Sequence, residues 1–379
     1  MAKGKRRGRG EGSVYQRQDG RWVAEIKLED GKRKPLYGKT QAEAIEKRNQ
    51  AQYELRQGIA IATGSKQKLK DYLEYWLEDV CRAKVRQGTY LGYRGALNKH
   101  LIPGLGHIQL QKLTTQHIQS FYAKKQREGC SPNRIQFLHA VLHGALRQAK
   151  RERLIASNVG DEIDLPTIGK HEVQPFTFDQ SRLFLDKIHG HRMEALLTLA
   201  LATGMREGEL LGLRWQDVDL QKGTLQVCRT VGYASRKGFY VNEPKTVKGR
   251  RTLTLPQFAI EPLVRHRVAQ KAARLQAGPQ WVDNDLVFPN DEGGFIIAKT
   301  LRRRWYRLLQ EIGLPRIHFH DLRHSAATIL LSMGVPMKVV QQILGHSNYG
   351  ITANIYGHVL PEMQEEAMNK MDAFFRQQP

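Results

Sequence analysis

The sequence predicts a multidomain, mainly α-helical fold with small β-sheets, and three observations carry that expectation. From residue 69 onward apolar side chains recur mostly at helical spacing. Alternating apolar and polar residues are confined to short runs near residues 15–37 and 224–255. Two polar stretches containing Gly or Pro interrupt the periodicity near residues 59–68 and 158–171. With 379 residues the chain is long enough for two or three domains, each burying its own core. The expected division is a basic arm and small α+β module over residues 1–62, an all-α domain over 63–165, and a mixed α/β domain, mostly α, over 166–379.

The elements follow in order. Residues 1–10 set five cations among glycines with nothing to bury, which reads either as an arm lying along a polyanion or as a frayed terminus. Tyr15 then leads into Trp22, Ala24, Ile26 and Leu28, which alternate with Arg21, Val23, Glu25 and Lys27; a turn at Asp30-Gly31 and a second run to Tyr37 complete a hairpin. Thr40 and Glu43 form a capping box for a helix expected to reach Gln57, ahead of Gly58. Ile59 to Lys68 reads as a linker. Helices are expected at Leu69–Leu77, Tyr90–Leu101, His117–Arg127 and Asn133–Lys150, with Pro103 and Gly104 breaking the pattern over residues 102–106. Farther on come a helical run from Arg182 to Ala202, a break at Thr203-Gly204 and a helix from Met205 to Arg214. Strand-like segments at Thr224–Val231 and Arg251–Leu255 precede helices near 258–275, 299–312, 321–333, 338–344 and 360–375.

The charge narrows the function. Lys and Arg outnumber Asp and Glu by 60 to 37, giving a formal net charge of +23, which points to a polyanionic partner. Residues 1–62, 63–160 and 161–379 carry net charges of +7, +11 and +5, so the basicity is concentrated in the first 160 residues. Cys81, Cys130 and Cys228 have no metal-type spacing and fit reduced thiols. No window approaches ~20 uninterrupted apolar residues, and the first residues lack the apolar core of a signal peptide. A soluble, cytoplasmic protein without a membrane partner is expected.

In the last half of the chain Arg206, Lys245, His320 with Arg323, His346 and Tyr356 follow one another. A tyrosine among so many cations is a nucleophile candidate whose natural electrophile is a phosphate. Arg206 and Glu209 lie three apart, so on a helix they share a face, and a carboxylate can hold the guanidinium ready for phosphate oxygens; an ordinary intrahelical ion pair is the plainer reading. His320 and Arg323 are also three apart, at the start of an apolar helix where the dipole favours an anion. His318, His320 and His324 could be read as metal ligands, but no partner carboxylate or cysteine set has catalytic-zinc spacing, and neither metal nor cofactor is expected.

The runs TGMREGEL, EPKTVKGRR, HDLRH and LGHS, followed by Tyr356 in ANIYGH, resemble the successive boxes of the tyrosine recombinase (phage integrase) family over residues 175–360. The upstream all-α domain and α+β module resemble that family's core-binding and arm-binding domains. The resemblance implies that Tyr356 attacks the scissile phosphate to form a 3′-phosphotyrosyl bond, with Arg206 and Arg323 neutralising the nonbridging oxygens and His346 donating a further hydrogen bond. It implies that Lys245 protonates the leaving 5′-oxygen, that His320 assists proton removal from Tyr356, and that Glu209 orients Arg206. Lys245, in the Pro-Lys-Thr position, is preferred over Lys248; Tyr349 comes too soon after His346 for the nucleophile, and His324 is read as structural. The implied partners are double-stranded DNA at attachment sites, three further copies in a homotetramer, and accessory DNA-bending or directionality proteins, with the protein associated with the nucleoid. A C-terminal stripe of Ala367, Met371 and Phe374 or Phe375 would dock on a neighbouring copy or on its own domain. A relaxing enzyme of the type IB topoisomerase kind and a catalytically inactive DNA-binding regulator are the alternative readings.

Overall fold

The structure is a computed structural model that describes residues 13–27, 33–56, 67–169, 175–234, 238–242 and 250–345, together with 368, 369, 371, 372 and 375. The chain divides into two compact units, residues 1–169 and 170–379.

In the first unit β1 (Val14–Gln16), β2 (Trp22–Lys27) and β3 (Arg33–Gly38) form an antiparallel sheet in sequence order, with Tyr15 opposite Val23 and Val23 opposite Tyr37. The turn expected at Asp30-Gly31 lies outside the described residues. Helix α1 (Gln41–Arg56) lies against this sheet, with Ala24, Ile26, Ala44 and Ala51 buried. Its start departs from a capping box: the Thr40 hydroxyl accepts from the Glu43 amide at 3.2 Å, but the Glu43 carboxylate reaches back to the Lys39 amide at 2.7 Å, one residue earlier than expected.

The helical part of this unit packs Leu69, Tyr72, Leu73, Leu97, Leu101 and Ile135 into one core. Helix α2 (Leu69–Tyr75) runs on into a π-helical turn that ends at Cys81, and α3 (Gln87–Ala96) into another at Leu97–Leu101, followed directly by α4 (Ile102–Leu105). The break expected over residues 102–106 therefore falls only at its end. The wide turn moves the hydrogen bonds to i−5 spacing, with the Ile102 amide on the Leu97 carbonyl, just ahead of Pro103, which has no N–H to donate. Helices α5 (Thr115–Arg127) and α6 (Pro132–Arg151) are capped by the hydroxyls of Thr114 and Ser131. The segment after α6 is strapped down by side chains: Gln111, Thr115, Gln119 and Gln136 donate to the carbonyls of Leu154, Val159, Asp164 and Pro166 at 3.4, 3.3, 3.2 and 3.0 Å.

The second unit is built around Trp305, wholly buried among Phe176, Phe184 and Phe319, its indole N–H donating to the Ile317 carbonyl at 2.9 Å. The helical run expected from Arg182 to Ala202 is two helices, α7 (Phe178–Lys187) and α8 (Glu194–Thr203), because Gly190 turns left-handed between them. Helix α8 is apolar on every side and is buried by its neighbours, as such a pattern demands. After α9 (Glu207–Leu211), strands β4 (Val218–Asp219), β5 (Thr224–Val227) and β8 (Arg251–Thr254) form an antiparallel sheet in the order β4-β5-β8. The strand expected to span Thr224–Val231 ends at Val227. A separate hairpin follows, β6 (Thr230–Ala234) with β7 (Gly238–Asn242), inserted before β8. Helices α10 (Gln257–Ala277), α11 (Ala298–Glu311), α12 (Asp321–Ser332) and α13 (Met337–Leu344) agree with the expected ones to within a few residues. Of the expected helix over 360–375, the few described residues are helical, with Met368, Met371 and Phe375 exposed. No helix among the described residues is long and apolar enough to cross a membrane.

Candidate active site

Four of the residues singled out by sequence, Arg206, Glu209, His320 and Arg323, fall within the described structure; Lys245, His346 and Tyr356 lie outside it, as do Lys248 and Tyr349. The described four come from two places in the chain and meet at one point.

The first place is the turn between α8 and α9. Gly204 ends α8 in the left-handed region, at φ 59°, and a Cβ there would lie 2.4 Å from Leu344 Cδ2, so both backbone and space require glycine. Two residues later Arg206 stands at the N-cap of α9, in extended backbone. The expected helix from Met205 to Arg214 is thus only Glu207–Leu211, and Arg206 and Glu209 meet as N-cap and third helical residue, not as two members of a helix face. Glu209 accepts the Arg206 backbone N–H at 3.0 Å and its Nη1 at 2.8 Å. The Arg206 side chain remains 41% exposed, whereas that of Glu209 is 7% exposed.

The second place is the start of α12. Arg323 is buried, and its Nη1 donates at 2.7 Å to the carbonyl of Gly204, two residues before Arg206, which ties it to the turn that carries Arg206. His320 is the N-cap residue of α12 and exposed; His324, one turn on, is buried with its ring edge-on to that of His320, 5.3 Å between centroids. The turn is anchored from below, since the Phe176 amide donates to the Ser325 hydroxyl, which donates to the Asp321 carbonyl, both at 2.9 Å.

The electrostatics follow. Burial pushes the Glu209 carboxyl up, but the hydrogen bonds and charge of Arg251, joined by the backbone N–H and charge of Arg206, hold it below the usual carboxylate range. It stays an anion. Partial loss of water around the His320 ring, and then the charges of Arg323 and Arg206, lower its pKa from the usual histidine value and so favour the unprotonated imidazole, which can accept a proton. Burial and the neighbouring His320 push His324 down to about 4.

Two residues were not assigned from the sequence. Arg251, within the run EPKTVKGRR, lies in the same cluster, its guanidinium on Glu209. Its register was a usable signal: Arg251, Leu253 and Leu255 alternate with Thr252 and Thr254, and an arginine in phase with two buried leucines faces inward. The other is Arg302 of α11, which forms three hydrogen bonds of 2.6 to 3.1 Å with the carboxylate of Glu207, next to Arg206. Among the described residues no group of three His, Cys, Asp or Glu side chains could hold a metal ion.

Such a cluster offers paired guanidinium donors and a neutral imidazole around one turn, equipment for a phosphodiester. Comparison with known proteins agrees with it. Residues 175–363 match the model of the phage integrase family, and residues 68–126 that of the phage integrase N-terminal SAM-like domain. A XerC-like tyrosine recombinase of Caldanaerobacter subterraneus subsp. tengcongensis is 32% identical over 367 residues, covering 92% of this chain and 94% of its own. An integrase of Streptomyces ambofaciens is 31% identical over 404 residues, 99% of either chain. In fold, the Tn1549 transposon integrase solved with transposon right-end DNA superposes with a TM-score of 0.70 at 23% identity, over 80% of this chain and 99% of that one. The lambda integrase tetramer on a Holliday junction gives 0.56 at 19%, over 92% and 96%. With nearly the full length of such relatives matched at this identity, the chain belongs to the phage integrase family of tyrosine recombinases.

Proposed function

We propose that the protein is a site-specific DNA recombinase, an integrase of a mobile element, that cuts and rejoins duplex DNA through Tyr356. The observation that carries the proposal is that Arg323, 117 residues beyond Arg206, donates to the carbonyl of Gly204, two residues before Arg206, so that two guanidinium groups are held beside one turn, where they would serve as a cradle for a scissile phosphate. In this reaction the Tyr356 oxygen forms a bond to phosphorus as its proton passes to His320, and the bond from phosphorus to the 5′-oxygen breaks as Lys245 protonates that oxygen. Arg206 and Arg323 offset the charge gathering on the nonbridging oxygens, His346 donates to the same oxygens, and Glu209 keeps Arg206 in place. A 5′-hydroxyl of the partner strand then attacks the phosphotyrosine and releases Tyr356. Bond energy is conserved in the covalent link, so the cycle needs no cofactor.

Residues 1–62 would read arm sites, 63–165 would grip the core site with 166–379 supplying the chemistry, and four copies would act together on synapsed DNA, aided by DNA-bending or directionality proteins. The lambda integrase tetramer is the precedent for the assembly. The net positive charge of the first 160 residues supports the DNA-gripping role. The protein would work in the cytoplasm at the nucleoid.

A nicked suicide duplex carrying the element's attachment site tests the proposal. A covalent protein–DNA adduct is expected from the wild type and from Tyr349→Phe, in the presence of chelator, and none from Tyr356→Phe. An adduct retained by Tyr356→Phe refutes the assignment.

A further inference from the structure

Arg251 opens β8 but spends its side chain elsewhere. It is 7% exposed, as is Glu209, and its Nη1 and Nη2 donate to the two carboxylate oxygens of Glu209 at 3.3 and 2.9 Å. Its Nε donates to the Ile343 carbonyl in the last turn of α13, at 2.8 Å. Arg206 approaches the same carboxylate at 2.8 Å, and its Nη2 donates to the Gly345 carbonyl at 3.1 Å. Two guanidinium groups thus share one carboxylate, and each also holds one of two carbonyls at the end of α13. The fit is close: Gly345 is left-handed, at φ 67°, and a Cβ there would lie 2.9 Å from Arg251 Nη1.

A buried ion pair is an inefficient way to stabilise a fold, since apolar side chains of the same volume would fill the space without desolvating charge. What this one supplies is geometry. The planar guanidinium fixes both oxygens of Glu209 in a plane, a task that lysine, with its single nitrogen, cannot perform. The points it joins are the turn that carries Arg206, the chain immediately ahead of His346, and the strand that begins six residues after Lys245. At 7% exposure Arg251 is too enclosed to reach a phosphate itself.

We infer that Arg251 is a positioning residue for strand cleavage: through Glu209 it fixes the guanidinium of Arg206, and through the Ile343 carbonyl it holds the chain that leads to His346. The inference rests on the recombinase reading above. It assigns Arg251 an effect on the rate of cleavage and none on the grip on DNA.

The test uses the full-length protein and the nicked suicide duplex at saturating protein, with DNA affinity and melting temperature measured alongside. Arg251→Lys is expected to slow single-turnover cleavage by about 10- to 100-fold, as sub-ångström to 1 Å displacements of a catalytic group do, while affinity stays within about twofold. In a Glu209→Gln background the same Arg251→Lys change should cause little further loss, because the connection through the carboxylate is already broken. Arg251→Ala should recover cleavage when guanidinium is added at millimolar concentration and not when ammonium is added. Wild-type cleavage by Arg251→Lys, a loss that multiplies undiminished with Glu209→Gln, or equal recovery of Arg251→Ala by either cation overturns the inference. Tyr356→Phe separates the two claims. If it still forms the adduct, the recombinase reading fails; if it does not and Arg251→Lys is fully active, only the role of Arg251 falls.

Discussion

At the scale of single residues, the site depends on groups kept in one charge state by their surroundings. Glu209 is enclosed by protein yet anionic because two guanidinium groups face it, whereas His324 is neutral first because burial disfavours its charged form, and then because His320 and Arg323 oppose a proton that Asp321 favours. A ring with a folded pKa of about 4 and an unfolded value near 6.5 binds its proton more readily when unfolded. Its contribution to stability is therefore complete above about pH 6.5 and is lost as pH falls toward 4, amounting to about 3 kcal/mol over that window. Urea midpoints at pH 7.5 and 5 should differ less in His324→Gln than in the wild type; an unchanged difference would contradict the burial argument. Legibility at this scale was uneven. Arg206 and Glu209 stood out because they lie three apart after a glycine break, and His320 and Arg323 because they lie three apart at the start of an apolar helix. Arg251 did not: its phase with Leu253 and Leu255 marks it as inward-facing, but nothing local names its partner Glu209, 42 residues away.

At the scale of elements, the glycine turn between α8 and α9 determines where both arginines go. Gly204→Ala should cost about 1–3 kcal/mol, from the left-handed backbone and from the displacement of the buried Leu344. It should also depress cleavage, because Arg323 would lose its place on the residue 204 carbonyl. Melting and single-turnover cleavage measure the two effects separately, and a variant with normal stability and normal cleavage would show the turn to be more tolerant than its geometry implies. Long helices such as α6 and α11 were readable because their apolar residues recur at helical spacing, in α6 with Ser131 as a cap as well. The elements that were missed lack such signals. The hairpin of β6 and β7 is partly exposed on both strands and shows little alternation, and Gly190 splits α7 from α8 inside a run that is apolar enough for one helix. Continuity through α3 and α4 required a π turn, which changes the hydrogen-bond spacing without changing the residue pattern.

At the scale of the whole molecule, charge and connectivity are the organising quantities. A net charge of +23, most of it in the first 160 residues, predicts binding dominated by displaced counterions. The logarithm of DNA affinity should fall linearly with that of salt concentration, losing on the order of 10³-fold or more between 50 and 200 mM if six or more phosphates are engaged; a slope near zero would be incompatible with backbone contacts of that number. Of the two polar interruptions, the one near residues 158–171 coincides with the boundary between the two compact units, whereas the one near 59–68 falls inside the first unit. The bond from Arg206 to the Gly345 carbonyl spans 139 residues of chain. A nascent polypeptide still short of Gly345 has neither that acceptor nor Tyr356, the proposed nucleophile eleven residues beyond it. During translation, then, the basic portion proposed to grip DNA emerges before the residues proposed to break a strand, so a truncated product would keep the first role and lack the second.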